Sequence, residues 1–339
     1  MRYQIALISG DGIGPEITRA TVEVLQALAD RGGPGLDFHP VEAGDGAAAR
    51  DGEALPRVTV EAIRQADACL KAPVGETAKD VIVRLRQLFD LYANIRPARC
   101  YPGVPSLRPD VDLVIVRENT EDLYKGFEFD IADGAVGLRV ITHSASTRIA
   151  EHAFRLAERR AKRSVVAVHK ANVLQRTCGV FANSCREVAQ RYRSVQFREM
   201  YVDTAAMNLI RQPEAFDVIV TTNVFGDILS DEAAQVVGGL GLAAGANIGD
   251  RSGLFEPVHG SAPDIAGQGI ANPLAMVLAA KMMLDWLGFR HGDAQCTEGG
   301  ARLVGAVERL LQKDIKTPDL GGRHRTAQIA HALVREVTA

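Results

Sequence analysis

The sequence predicts an α/β fold, and three observations carry that expectation. Short apolar runs rich in Val, Ile and Leu alternate with amphipathic stretches long enough for helices, the pattern of βαβ units. Two of those runs end in a basic residue, Arg117 closing 112–117 and Lys170 following 164–169. Such strand ends are where open α/β sheets present ligand-binding groups. No repeat, low-complexity tract or long linker breaks the alternation, so composition marks no domain boundary.

Taken in order, residues 4–9 read as a strand, 10–15 as a GDGIGP turn, and a helix runs from Glu16 to about 29, with Pro15 suited to its first turn. The turn looks like a dinucleotide fingerprint, but GxGxxG requires glycine at 15, where Pro15 stands. That excludes an ordinary Rossmann domain and leaves a glycine-rich loop able to approach a ligand closely. A strand at 36–41, a loop rich in Gly, Ala and Asp, and a helix at 58–65 lead to a buried strand at 68–72. Residues 80–88 read as a helix with a basic face. Residues 119–137 lack a helical period and 138–142 alternate like a strand, together a hairpin or arm. A helix at 148–163, a strand at 164–169, a helix at 179–192 and a strand at 217–220 follow. Residues 238–245 read as a loop, and a helix near 275–287 with two more towards the C-terminus completes the chain.

The 339 residues suggest about two domains. Apolar residues at 47% and charged residues at 24% are ordinary for a soluble globular protein, and a net charge of −3 provides no global basic field for nucleic acid or membrane. The five cysteines are scattered without a CxxC, as expected for buried thiols in a reducing compartment. Residues 1–9 carry no signal-peptide pattern, and the longest apolar stretch, near 270–287, is interrupted by Pro273, Lys281 and Asp285. A cytoplasmic protein is expected.

The stretch NVFGDILSDEAA at 223–234 organises the candidate chemistry. Asp227 and Asp231 are four apart and share a helix face, a like-charge pair that a divalent cation such as Mg²⁺ or Mn²⁺ would relieve. The plainer reading is two acids answering the positive end of a helix dipole. Asp203 is a third carboxylate, or a helix N-cap; linear spacing does not bring it to the pair. Arg86, Arg96 and Arg117 are candidates for binding carboxylates bidentately, whereas Arg84 reads as a surface salt bridge. Tyr124 and Lys170 are candidates for proton transfer, the lysine needing a lowered pKa to act as a base. The loop at 254–273, LFEPVHGSAPDIAGQGIANP, is too rich in Gly, Pro and polar residues for a core element. Its His259-Gly260 can approach a flat ring or a phosphate, and Asp264 can accept hydrogen bonds from a ribose diol.

Together GDGIGPEI (10–17), KAPVGE (71–76), DLYANIRP (90–97), VRENTEDLYKG (116–126), HKANVL (169–174), NVFGDILSDEA (223–233) and the 254–273 loop resemble the β-decarboxylating 2-hydroxyacid dehydrogenases, the isocitrate/isopropylmalate dehydrogenase family, nearly end to end. The resemblance implies a two-domain α/β fold that is not Rossmann. One discontinuous large domain, 1–92 with 238–339, would carry both termini, and a central domain, 93–237, would carry a dimerising arm. It implies a homodimer, or a higher oligomer, with shared active sites: Lys170 and Asp203 from one chain meeting Tyr124, Asp227 and Asp231 of the other. Asp203, Asp227 and Asp231 would hold Mg²⁺ or Mn²⁺, and Arg86, Arg96 and Arg117 the substrate carboxylates. Glu256, His259, Gly260, Ser261, Ala262, Asp264 and Asn272 would bind the nucleotide. Lys170 would help to remove the C2 hydroxyl proton, and Tyr124 would supply a proton to C3 after CO₂ leaves.

Asp264-Ile265 stand where NADP-preferring relatives place a Lys-Tyr-like pair, which points to NAD. The apolar Ile82 and Val83 fit 3-isopropylmalate and hence leucine biosynthesis, in a stretch like that of archaeal-type isopropylmalate enzymes. Lys79, able to reach a third carboxylate, keeps isocitrate and homoisocitrate as alternatives. A catalytically idle regulatory subunit is disfavoured because Tyr124, Lys170 and all three aspartates are present, and a metal-dependent hydrolase because no nucleophile or second metal site is evident.

Overall fold

The computed structural model describes residues 1–339. β1 (Arg2–Ile8) leads through the glycine-rich turn into α1 (Gly14–Ala29), which has a proline in its first turn. β2 (Gly35–Val41), α2 (Asp45–Asp51), α3 (Arg57–Gln65) and β3 (Ala68–Lys71) follow. A π-helical turn at Lys79–Val83 then runs into α4 (Arg84–Leu88). β4 (Ala93–Arg99) and β5 (Asp112–Glu118) precede a short hairpin of β6 (Glu128–Ile131) and β7 (Gly134–Gly137). Next come α5 (His143–Glu158), β8 (Ser164–His169), α6 (Thr177–Ala189), β9 (Gln196–Tyr201), α7 (Val202–Arg211), β10 (Val218–Thr221) and α8 (Asn223–Val236). β11 (Ala244–Ile248), β12 (Gly253–Pro257), α9 (Leu274–His291), α10 (Ala294–Gln312) and α11 (Thr326–Thr338) close the chain.

Ten strands form one sheet in the order β2-β1-β3-β12-β11-β4-β5-β10-β8-β9. Its two flanks, β2-β1-β3-β12 and β5-β10-β8-β9, are parallel; its middle, where β11 pairs with β12 and β4 and β4 with β5, is antiparallel. The parallel strands β8 and β10 are buried almost throughout, which is why they read as continuous apolar runs rather than alternating ones. α9 is apolar nearly all round because it packs against β11, β12, α1 and α10. The largest core runs across the whole sheet. Of two smaller ones, the first draws only on residues between Ala98 and Val237, and the second on residues up to Leu91 plus Leu254. No helix is long and apolar enough to cross a membrane.

Several local expectations need correction. The strand expected at 138–142 is only an isolated bridge at Val140; the arm's strands are β6 and β7, earlier in the chain. The helix expected to start at 148 starts at His143, because Thr142 accepts a hydrogen bond from the amide of Ala145 and caps it. The loop around 45–51 contains α2, and the loop at 238–245 ends in the first residues of β11.

Candidate active site

The antiparallel middle of the sheet is the floor of the site. Arg117 on β5, Asn94 on β4 and Asn247 on β11 lie in one cross-strand row. Arg96, two residues along β4 from Asn94, donates to the Asn94 side chain at 2.7 Å. Arg117 is only 1% exposed. It donates from Nε and Nη2 to the Asn223 side-chain oxygen at 3.0 and 2.7 Å, and from Nη1 to Asp227 at 2.5 Å. α8 can lie over this guanidinium because residue 226 is glycine: a Cβ there would stand 2.6 Å from Arg117 Cγ.

Asp227 and Asp231 do share a face of α8, from which both reach Arg96, but Asp231 is exposed. Asp227 accepts from Arg117 on one oxygen and from the Tyr124 hydroxyl on the other. Asp231 accepts from Arg96 Nη1 at 3.1 Å, and the same Arg96 nitrogen reaches Ser230 at 2.8 Å. Burial works against the charge on Asp227, but Arg117, Tyr124 and Arg96 outweigh it and hold the carboxyl below the usual range. Asp231 is pushed up, first by burial and then by Asp227, with Arg96 opposing. Burial and the Asp227 charge both push the Tyr124 hydroxyl up, so it keeps its proton at neutral pH. These are hard oxygen donors of the kind a divalent cation takes, with Arg96 and, less strongly, Arg117 opposing the upward push on Asp231. One chain, however, contains no group of three or more His, Cys, Asp or Glu placed to hold a metal.

Beneath the arginines lies a buried polar network that sequence reasoning missed. Glu256 on β12 accepts from Lys71 at 2.8 Å, from Asn247 Nδ2 at 2.8 Å and from Arg86 at 3.4 Å. Burial pushes the Glu256 carboxyl up; Lys71 and Arg86 more than reverse that and lower its pKa to about 2. The Asn247 side-chain oxygen accepts from Arg86 Nε at 3.0 Å, Asn94 at 2.8 Å and Asn119 at 2.9 Å. Glu256, grouped by sequence with the nucleotide loop, is thus a partner of Arg86 on the floor of the arginine cleft.

That cleft has a volume of about 630 Å³. Arg86, Arg96, Arg117, Tyr124 and Asp227 line it, and its far wall is the π-helical turn bearing Lys79, Ile82 and Val83. Leu123 and Glu128, from the base of the arm, also face it. His259 and Gly260 belong to this cleft and to a second one of about 690 Å³, lined by Ile13, Ala262, Ile265, Asn272 and Asp319 among others. Burial lowers the pKa of His259, which leaves it neutral at physiological pH. Asp319, absent from the sequence reading, accepts from Asn272 Nδ2 at 2.9 Å. Asp264 is exposed on the 3₁₀ turn Pro263–Ile265, beside the lining residues Ala262 and Ile265 rather than among them. Ser261 turns its carbonyl towards α1, accepting from the Ile13 amide at 2.9 Å.

Lys170 and Asp203 stand apart. Lys170 follows β8, Asp203 lies in the first turn of α7, and they bond each other at 2.6 Å with side-chain exposures of 25% and 64%. Neither lines either cleft. Asp203 is not the N-cap, a position held by Tyr201. Their neighbourhood exposes Val173, Met207 and Ile210, and the hairpin exposes Phe129 and Ile131.

The model of the family described as isocitrate/isopropylmalate dehydrogenase matches residues 4–333. A 3-isopropylmalate dehydrogenase of Saccharolobus solfataricus is 56% identical over 324 residues, covering 95% of this chain and 96% of that protein. An isocitrate/homoisocitrate dehydrogenase of Thermus thermophilus is 48% identical and covers 98% of both. Among solved structures, an isocitrate dehydrogenase from Methylococcus capsulatus superposes with a TM-score of 0.93 at 43% identity, covering 99% of this chain and 100% of that one.

Proposed function

The chain belongs to the isocitrate/isopropylmalate dehydrogenase family, and from that premise we propose that it oxidises and decarboxylates 3-isopropylmalate, with NAD⁺ and Mg²⁺ or Mn²⁺, as a homodimer with shared sites. The observation that carries the reading is the convergence of Arg86, Arg96, Arg117, Tyr124 and Asp227 on a cleft that shares His259 and Gly260 with a second cleft.

The three guanidiniums would take the substrate carboxylates, each pre-aimed by a buried partner, so that little orientational freedom is lost on binding. Ile82 and Val83 face the same cleft and would cover the isopropyl group, a contact worth about 1–3 kcal/mol. Asp227 and Asp231, with Asp203 of a second copy, would hold the divalent cation, which when bound polarises the C2 oxygen. NAD⁺, when bound, supplies the hydride acceptor. Lys170 of the second copy would accept the C2 hydroxyl proton, its place in the cleft being reached across the dimer. Tyr124, protonated and hydrogen-bonded to Asp227, would donate to C3 once CO₂ has left. The division into 1–92 with 238–339 and 93–237 would place this cleft along the seam between domains.

One observation supports a second substrate reading. Lys79 lines the cleft beside Ile82, so a third carboxylate, as in isocitrate or homoisocitrate, would find a cation there. Steady-state kinetics with NAD⁺ and Mn²⁺ on 3-isopropylmalate, isocitrate and homoisocitrate, followed by NADH absorbance, separate the two. The highest kcat/KM is expected with 3-isopropylmalate, and with NAD⁺ over NADP⁺ because Asp264 would meet a 2′-phosphate. A higher value with either tricarboxylate assigns the cleft to Lys79 and overturns the isopropylmalate reading.

A further inference from the structure

In the GDGIGPE segment, the space a side chain would take at Gly10 and Gly12 is filled by the protein's own backbone. A Cβ at Gly10 would lie 2.0 Å from the Pro73 carbonyl oxygen, and one at Gly12 would lie 2.0 Å from the Ser261 carbonyl oxygen. Both residues have positive φ, at 60° and 57°. The glycines are there so that two other loops can press against the turn. One loop, after β3, leads to the π-helical turn of the substrate cleft; the other is the 254–273 loop.

The two acids of the segment serve those two loops separately. Glu16 accepts from the amides of Gly269 at 3.3 Å and Ala271 at 3.2 Å. The Thr326 hydroxyl sits between Glu16 and the Ala271 carbonyl, and the Thr326 amide donates to Gly269 at 3.0 Å. Asp11 accepts from the amides of Asp45 at 2.8 Å, Gly46 at 3.0 Å and Gly75 at 3.0 Å. Asp45 in turn accepts from the Thr77 amide at 2.9 Å, and the Thr77 carbonyl starts the π-helical turn by accepting from Asp80 at 2.9 Å. A carboxylate receiving several backbone N–H groups is among the stronger restraints available to a loop.

We propose that the segment is a two-ended clasp in which Glu16 is a positioning residue for dinucleotide binding and Asp11 one for substrate binding. Glu16 holds the far end of the loop whose near end, at Ser261, is pinned to Ile13. Released at Gly269 and Ala271, the loop would spend less time in the binding geometry, and affinity falls by the fraction of competent loop. The Asp11 end acts on the Lys79–Val83 wall and leaves the nucleotide loop held.

This inference rests on the dinucleotide reading of that loop, and the test separates the two. E16Q and D11N are compared with wild type in three measurements: NADH titration by fluorescence, steady-state kinetics, and hydrogen exchange of peptides covering 267–272 and 73–78. For E16Q, exchange should quicken at 267–272 alone. NADH binding should weaken roughly tenfold, and KM for NAD⁺ should rise alike, with substrate KM and kcat within about twofold. D11N should quicken exchange at 73–78 but not at 267–272, and raise substrate KM with NADH binding unchanged. If E16Q raises both KM values together, or leaves exchange at 267–272 unchanged, the clasp is wrong. If wild type binds no NADH while E16Q still frees 267–272, the dinucleotide reading fails and the loop restraint stands. E16A, which removes both acceptors, repeats the exchange measurement with a larger expected signal.

Discussion

Asp227 and Asp203 are both aspartates in early turns of helices that follow strands, yet their surroundings are opposite. Asp227 rests on a buried guanidinium, is bonded by a tyrosine, and faces a cleft whose floor is satisfied several layers down, through Arg86 to Glu256, Asn247 and Lys71. Asp203 has one side-chain partner, Lys170, and is largely exposed, on a helix that also exposes Met207 and Ile210. The interior half of the proposed site is finished by one chain; the exterior half is preformed as a pair and lies outside the cleft. That division is the one the proposed site, shared between two copies, would need.

The sharpest way to break this comparison is complementation. Lys170→Met and Tyr124→Phe should each lower kcat by roughly 10²–10⁴, the usual contribution of a positioned proton donor or acceptor. If the halves meet across a dimer, a hybrid of the two variants has one site with both lesions and one with neither. Unfolding and refolding an equal mixture should then restore about a quarter of wild-type activity from two nearly inactive proteins. Activity that stays at the level of the separate variants, with hybrids verified by mass, would place Lys170 and Tyr124 in the same chain's site.

A smaller effect is expected from the buried floor. Glu256→Gln leaves Lys71 and Arg86 without their carboxylate, and removing one member of a buried pair costs roughly 3–5 kcal/mol. The pH dependence has a definite sign. The folded pKa of Glu256, about 2, is depressed below its unfolded value. Its contribution is therefore fully present above the ordinary glutamate value of about 4.3 and is lost as pH falls through the folded value. Wild type should show an acid limb of stability between those limits that the variant lacks, measured by urea unfolding at a series of pH values. An identical limb in both would show that Glu256 does not carry it.

The same contrast explains what was legible in the sequence. β5, β8 and β10 are buried on both faces and are legible as strands from their apolar runs. β4, β11 and β12 are not, because they carry Asn94, Arg96, Asn247 and Glu256, groups of the cleft and of the polar network beneath it, which break the hydrophobic pattern of a strand at the positions where function lies. Asp227, Asp231, Arg117 and Tyr124 stood out as charged or polar groups next to apolar runs, and the structure gathers them. That Glu256 turns inward to Arg86 had no local signature, since the two are 170 positions apart. Asp319 was likewise invisible, an ordinary acid in a short turn until Asn272 is seen beside it.

The smallest expected effect separates the two aspartates by stability alone. Asp203→Asn removes an exposed pair, and such pairs contribute little because water and salt screen them, so Tm should shift by less than about 1 °C with activity nonetheless lost. Asp227→Asn takes the charge from a carboxylate that compensates a guanidinium only 1% exposed. The burial cost of Arg117 then goes partly unanswered, and Tm should fall by about 1.5–3 °C, the shift that about 1–2 kcal/mol produces in a chain of this length. Both are read by thermal unfolding without ligands. The proposed dimer would add a condition that makes the comparison stricter: if Asp203 and Lys170 dock against a second copy without a bound cation, the Asp203→Asn shift should grow with protein concentration, whereas the Asp227→Asn shift should not. Equal shifts for the two variants at every concentration would mean that the interior and exterior halves are energetically alike, and the shared-site argument would lose its physical basis.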